Sequence, residues 1–269
     1  MLDPADAALL ARLPPPAPTA YHRLNPLTKS ALAAFCTLLP IASGGYLVPV
    51  LVLGAVVLPG LLIAGVLGRA LRNAILVSLP IGISVAVVSI LGRAGSHVLF
   101  TVGPFDATLE GLDFALRIDL RLFELALALA LFALTTEPRS LIVDLERRGV
   151  LRRLAFAAAA TLDAIPAMAE RAKAIQAAQR ARGLDTEGSV GARLRGVIPL
   201  AGPAILGTLH DVETRSLALE ARAFDRPGRR HLLWAPVDSN AQRLARWLLA
   251  AALVAFVALR AVRVLSPLP

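Results

Sequence analysis

A chain of 269 residues with 57% apolar and only 17% charged positions, and a mean hydropathy of +0.67, is too apolar for an ordinary soluble domain. Its formal charge of +9 does not describe a nucleic-acid-binding surface. Between Glu137 and Arg246 stand 18 Arg and Lys against 12 Asp and Glu, the kind of basic excess that marks the cytoplasmic flank of membrane spans and favours contact with anionic lipid. The single cysteine, Cys36, excludes an intrachain disulfide and a thiolate metal cluster.

The N-terminal stretch has no basic region ahead of an apolar core, so it does not read as a signal peptide. Leu2-Asp-Pro-Ala-Asp6 and Pro14-Pro-Pro16 predict a short cytoplasmic lead-in over 1–29, ending in the basic approach Tyr21 to Lys29. Residues 30–136 read as four transmembrane helices. Ser30 to Ser43 is apolar but short, and Gly44-Gly45 separates it from the uncharged run Tyr46 to Leu67. That run approaches the roughly 20 residues needed to cross a bilayer. Pro49 and Pro59 predict kinks in it, and Arg69 and Arg72 are expected to end it. Ala74 to Gly92 is the next span, followed by an acidic loop from Gly103 to Asp113.

The fourth helix, Leu112 to Thr136, carries Arg117, Asp119, Arg121 and Glu124 in its first half. Arg117, Arg121 and Glu124 share one helix face at i, i+4 and i+7. Charges at that depth face a bundle or a partner rather than lipid. An internal ion pair of Arg121 with Glu124 is the simpler expectation, and a contact with a second membrane subunit is the sharper one. Residues 242–269 hold the last span, Leu244 to Val262, and a tail. Five spans put the C-terminus outside, against which Arg260 and Arg263 weigh mildly.

Residues 137–241 form a cytoplasmic helical segment. Pro138 opens a short helix that Gly149 ends, Leu154 to Ala164 is Ala-rich, and Pro166 is expected to begin or kink the next helix. Met168, Ala172, Ile175, Gln179 and Arg182 make one stripe at helical spacing, with Gly183 where a left-handed cap is wanted. After a turn with Gly188 and Gly191, a further helix is expected from beyond Pro203 to Phe224, ended by Asp225-Arg-Pro-Gly228. Two helices therefore end in Ala-Arg steps, Ala181-Arg182-Gly183 and Ala221-Arg222-Ala223, with their arginines forty positions apart. Small side chains let a partner approach closely. An arginine at a helix C-terminus suits the dipole and offers a planar fork to a carboxylate. One such end reads as a solvated cap; two at matching positions point to docking.

No catalytic, cofactor or metal constellation is visible. The only lysines, Lys29 and Lys173, do not follow glycine, so there is no phosphate loop. The histidines His22, His97, His210 and His231 are scattered, and His210-Asp211 reads as an exposed helix turn. A membrane-embedded enzyme would need aligned acids, and Asp119 and Glu124 are five apart. A conventional permease that binds substrate itself is the other alternative.

Leu24-Asn-Pro-Leu-Thr-Lys29, Thr135-Thr-Glu-Pro-Arg-Ser140, Ile165-Pro166 and the two Ala-Arg ends stand in this order along the chain. With them the chain resembles the transmembrane T components of energy-coupling factor transporters, the EcfT and CbiQ-like family, from about Arg23 onward. The resemblance implies an all-α polytopic protein of the bacterial cell membrane, without catalytic activity, cofactor or nucleic-acid partner. It also implies long cytoplasmic coupling helices that dock two ABC ATPase subunits and cradle a substrate-binding membrane subunit, the S component, for vitamin or cobalt and nickel uptake. It assigns ATPase docking to Ala181, Arg182, Gly183, Ala221, Arg222 and Ala223. Ala223 departs from the glycine many members carry, which puts in question how the second helix ends.

Overall fold

The computed structural model describes residues 19–93, 95–102, 105–183, 190–224 and 236–265. The lead-in before Thr19, Gly188, the Asp225–Gly228 stop and His231 lie outside them. The chain divides into two compact units, Met1–Asp144 with Pro236–Pro269, and Leu145–Ala235.

In the first unit, α1 (Pro26–Ala42) starts on Asn25, whose side chain accepts the Leu27 N–H, with proline in the first turn where no N–H is needed. The helix α2 (Leu47–Ala64) contains a π turn, Leu53–Val57. The Leu58 N–H reaches back to the Leu53 carbonyl, so the wide turn lies just ahead of Pro59, which has no N–H to give. Gly65, at φ 69°, ends α2, and α3 (Leu67–Gly92) follows at once. Arg69 and Arg72 therefore belong to the start of α3 rather than the end of α2, because the left-handed glycine stops the helix first.

The acidic loop expected after α3 is partly ordered as a hairpin of β1 (Val98–Val102) and β2 (Phe105–Thr108), paired antiparallel. The next helix, α4 (Leu109–Thr135), begins earlier than Leu112 because the Thr108 hydroxyl accepts the Gly111 N–H and caps it.

Helix packing in this unit rests on small residues. Ala70, Ala74, Ser78 and Gly82, each four apart, are the buried positions of α3, while Leu76, Val77, Ile83 and Val88 point outward. Association within a bilayer gains from such close backbone approach. A Cβ on Gly111 of α4 would lie 2.9 Å from the Ile90 Cα of α3, and one on Gly82 would lie 3.2 Å from an Asp119 oxygen. The two helices thus run antiparallel. Val57, Leu61, Ala70, Cys36, Leu127 and Leu131 contribute to the apolar core beside them.

Two long-range bonds fix α1 antiparallel to α4: Lys29 Nζ donates to the Thr135 carbonyl at 2.7 Å and Arg121 donates to the Ser43 carbonyl at 2.7 Å. The last helix, α8 (Asn240–Leu265), runs parallel to α1. Its Gln242 accepts the Asn25 N–H at 2.9 Å and its Arg246 donates to Thr28 at 2.8 Å, while Arg260 lies against Gly44 at the far end. The end of α4 and the start of α8 thus both lie at the end of the unit that carries Lys29. The helices α2, α3 and α8 are long and apolar enough to cross a membrane, and α1 is apolar but shorter. The 27 residues of α4 reach about 40 Å, with charges in the half away from Thr135.

The boundary between the units falls within α5 (Pro138–Arg147), which is followed by Gly149 at φ 99°. The second unit holds α6 (Arg152–Ala181) and α7 (Val190–Ala221). Both differ from the sequence expectation in extent. Pro166 neither begins nor ends a helix but sits inside α6. The last helix of the pair starts at Val190 and passes through Pro199 and Pro203 rather than beginning after them.

Candidate partner-docking site

The two Ala-Arg ends share one local construction. At the end of α6 the Arg182 N–H bonds the Gln179 carbonyl at 3.1 Å and the Gly183 N–H bonds Arg180 at 2.9 Å, with Gly183 at φ 86°. At the end of α7 the Ala223 N–H bonds Glu220 at 2.9 Å and the Phe224 N–H bonds Leu219 at 3.0 Å, the paired bonds of a Schellman cap. Ala223 takes φ 51°, the only positive φ outside glycine among the described residues. The alanine therefore keeps the glycine's geometry, and the second helix ends as the first does. Phe224 continues into a stack on Phe156, ring centroids 4.8 Å apart and tilted by 56°, which holds the chain beyond the cap.

Ala181, Arg182, Gly183, Ala221, Arg222 and Ala223 are all exposed. Neither arginine side chain takes a hydrogen-bond or ion-pair partner among the described residues, so both forks remain available to a carboxylate.

The helices α6 and α7 pack antiparallel. Phe156, early in α6, meets Phe224 beyond α7, and Arg171 of α6 donates to Asp211 of α7 at 2.7 Å. The same guanidinium lies over Gly207, where a Cβ would come within 3.3 Å of it. The two arginine ends thus lie at opposite ends of the pair. Arg171 precedes Arg182 by eleven positions and Asp211 precedes Arg222 by eleven, about 16 Å along each helix. Beside Arg171, Glu170 accepts from Lys173 at 2.9 Å and raises its pKa. Beside Asp211, His210 is exposed.

The charges of α4 separate into three environments. Arg117 pairs with Asp113 and lies 5.2 Å from the centre of the Tyr46 ring. Arg121 donates to the Ser43 carbonyl, one of the groups a helix end leaves without an internal partner. Glu124 is fully buried, with neither carboxylate oxygen hydrogen-bonded. The expected Arg121–Glu124 ion pair is therefore absent: the backbone carbonyl of another helix holds the arginine instead. Arg117 and Arg121 are half-buried, whereas Glu124 presents no surface to a second subunit. No group of metal-ligating side chains is gathered among the described residues. Outside the spans, burial, with Lys29 and Arg69 nearby, lowers the His22 pKa, and burial pushes Tyr21 up to about 12.

Sequence reasoning found the two ends but not what joins them. Gly207 and the Phe156–Phe224 stack carry no motif, and Arg171–Asp211 is visible only once the pair is known to be antiparallel. The small-residue row of α3 did leave a signal, its repeat of four.

A family profile described as "Cobalt transport protein" matches residues 18–232. The energy-coupling factor transporter transmembrane protein EcfT of Thermosediminibacter oceani is 31% identical over 222 residues, covering 78% of this chain and 82% of its own length. The EcfT of Limosilactobacillus fermentum is 29% identical over 242 residues, with 84% and 89% covered. A putative ABC transporter ATP-binding protein of Bifidobacterium longum is 30% identical over 175 residues, which make up 62% of this chain and 22% of that longer protein.

Proposed function

Because the chain belongs to the family of energy-coupling factor transporter transmembrane proteins described as cobalt transport proteins, we propose that Arg182 and Arg222 each dock one ABC ATPase subunit. As the T component of such a transporter it works with ABC ATPases in the cell membrane, and the two arginine ends are where that partnership is made. The observation that carries the reading is the pair of matched, exposed arginine caps facing away from each other along α6 and α7. A groove lined by carboxylates is the complementary surface, since arginine binds a carboxylate through two parallel bonds.

The remaining assignments follow from placement. The segment holding α6 and α7 is inserted between Thr135 and Asn240, and its basic excess puts it on the cytoplasmic side. The ATP is handled by the partner, because this sequence carries no phosphate loop. Closure of the ATPases moves the two ends, and that motion passes to a membrane-embedded S component that binds the substrate. The T component is then a non-catalytic coupler.

Reversing both charges, Arg182→Glu with Arg222→Glu, is expected to release the ATPases while the protein stays in the membrane. Quantitative co-purification in mild detergent reads this directly. Normal recovery of both ATPases with the double variant would sink the assignment.

A further inference from the structure

The Arg171–Asp211 ion pair stands in a particular relation to the docking ends. Its two residues are forty positions apart, and so are Arg182 and Arg222. In an antiparallel pair, residues related by the same offset as the two ends exchange places under a two-fold rotation, and those that touch lie on its axis. Arg171 and Asp211 touch, at 2.7 Å. Sequence agrees with the offset, because Ala164-Ile165 recurs as Ala204-Ile205 and Ala178 as Ala218. The Phe156–Phe224 stack obeys nearly the same antiparallel register, since the two positions sum to 380 against 382 for the ion pair.

We propose that α6 and α7 form a two-fold-related docking surface centred on Arg171–Asp211, and that this pair sets the spacing at which the two arginine ends meet a two-fold ATPase pair. The inference rests on the docking reading above and adds its geometry. With about 16 Å of helix on either side of the centre, the ends are fixed relative to each other only as well as the crossing is. An exposed ion pair alone does that poorly, since surface pairs are weak. Here the guanidinium is also seated over Gly207, so its position depends on the absence of a side chain as well as on the carboxylate. Two sites held at the right span bind a double partner far more tightly than either alone, and that gain disappears when the span is wrong.

The test uses the full chain with its ATPases in mild detergent. Cysteines at the exposed positions Ala178 and Ala218 carry spin labels, while native Cys36, 2% exposed, stays unlabelled. Expected for the parent is one narrow distance distribution and tight ATPase binding. Arg171→Glu or Asp211→Arg alone should broaden the distribution and weaken ATPase binding by about tenfold or more, the loss of a two-site gain. The charge-swapped double variant should restore both. Gly207→Leu, which leaves both charges in place, should reproduce the loss, and Asp211→Asn serves if a charge reversal fails to reach the membrane.

Unchanged distances and affinity in the single variants overturn the proposal, as does a charge swap that rescues neither. Failure of the docking reading looks different: Arg182→Glu with Arg222→Glu would leave ATPase binding intact, while the label distances would still report on the centre.

Discussion

Ala223 holds a backbone conformation that glycine adopts freely and alanine does not. A Cβ in the left-handed region costs about 1 kcal/mol, and here the cost is borne because Phe224 is anchored on Phe156. Ala223→Gly is therefore expected to stabilise the second unit by up to about 1 kcal/mol, seen as a higher thermal midpoint in detergent with ATPase co-purification unchanged. Ala223→Val should move the midpoint the other way; a valine as well tolerated as alanine would refute the strained cap. At this scale the sequence was legible where chemistry is local. Gly183 could be assigned as a cap from its place after an arginine. Arg121 could not be assigned, because its acceptor is a backbone carbonyl 78 positions away, and carbonyls leave no trace in residue identity.

Among the elements, the contact of α3 with α4 depends most on the absence of side chains. Gly111 packs with its Cα against the α3 backbone, where the obstacle to a Cβ is rigid main chain rather than a flexible side chain. Gly111→Val is expected to push the helices apart and cost about 2 kcal/mol or more, as overpacking at a rigid contact does. Gly54→Val, at a position with open space around it, should be tolerated. Comparing folded yield and thermal midpoint of the two variants checks this, and equal behaviour would contradict the close approach.

Proline was the least reliable guide to the elements. It suggested a helix start or kink at Pro166 and a start after Pro203, yet α6 and α7 continue through both. Pro166 lies on the exposed side of α6, so the carbonyl it leaves unpaired one turn earlier is met by solvent, and the helix on either side supplies the missing stability. The glycines at φ above zero marked the ends more faithfully. Gly65 moved Arg69 and Arg72 into the next helix for that reason.

At the scale of the whole molecule, charge patterning along the sequence predicts a topology with the 137–241 segment on the cytoplasmic side. It was equivocal only for the C-terminus, where Arg260 and Arg263 suggested the opposite side. α1 and α8 run parallel, so Arg260 lies with Gly44, at the other end of the unit from Lys29. A reporter fused after Pro269 is expected to fall on the same side of the membrane as one inserted at Gly45, and on the opposite side from one inserted after Gly149. A C-terminal reporter that matches the Gly149 insertion would reverse the placement of α8. The composition shifts after Glu137, while the boundary between the two units falls after Asp144. The antiparallel register of α6 and α7 was not legible, because most described side chains of both helices are exposed and their apolar periodicity does not single out one packed face.

The return of α8 to the first turn of α1 also has a meaning in time. Gln242 and Arg246 satisfy the Asn25 N–H and the Thr28 hydroxyl, so groups made earlier wait for partners made more than two hundred residues later. Asn25 and Thr28 are buried in the finished protein, and until α8 arrives they must be served by water or by other protein. The start of α1 is thus completed only after the segment holding α6 and α7 has been translated. A chain that stops short of Asn240 leaves the Asn25 N–H and the Thr28 hydroxyl without these partners.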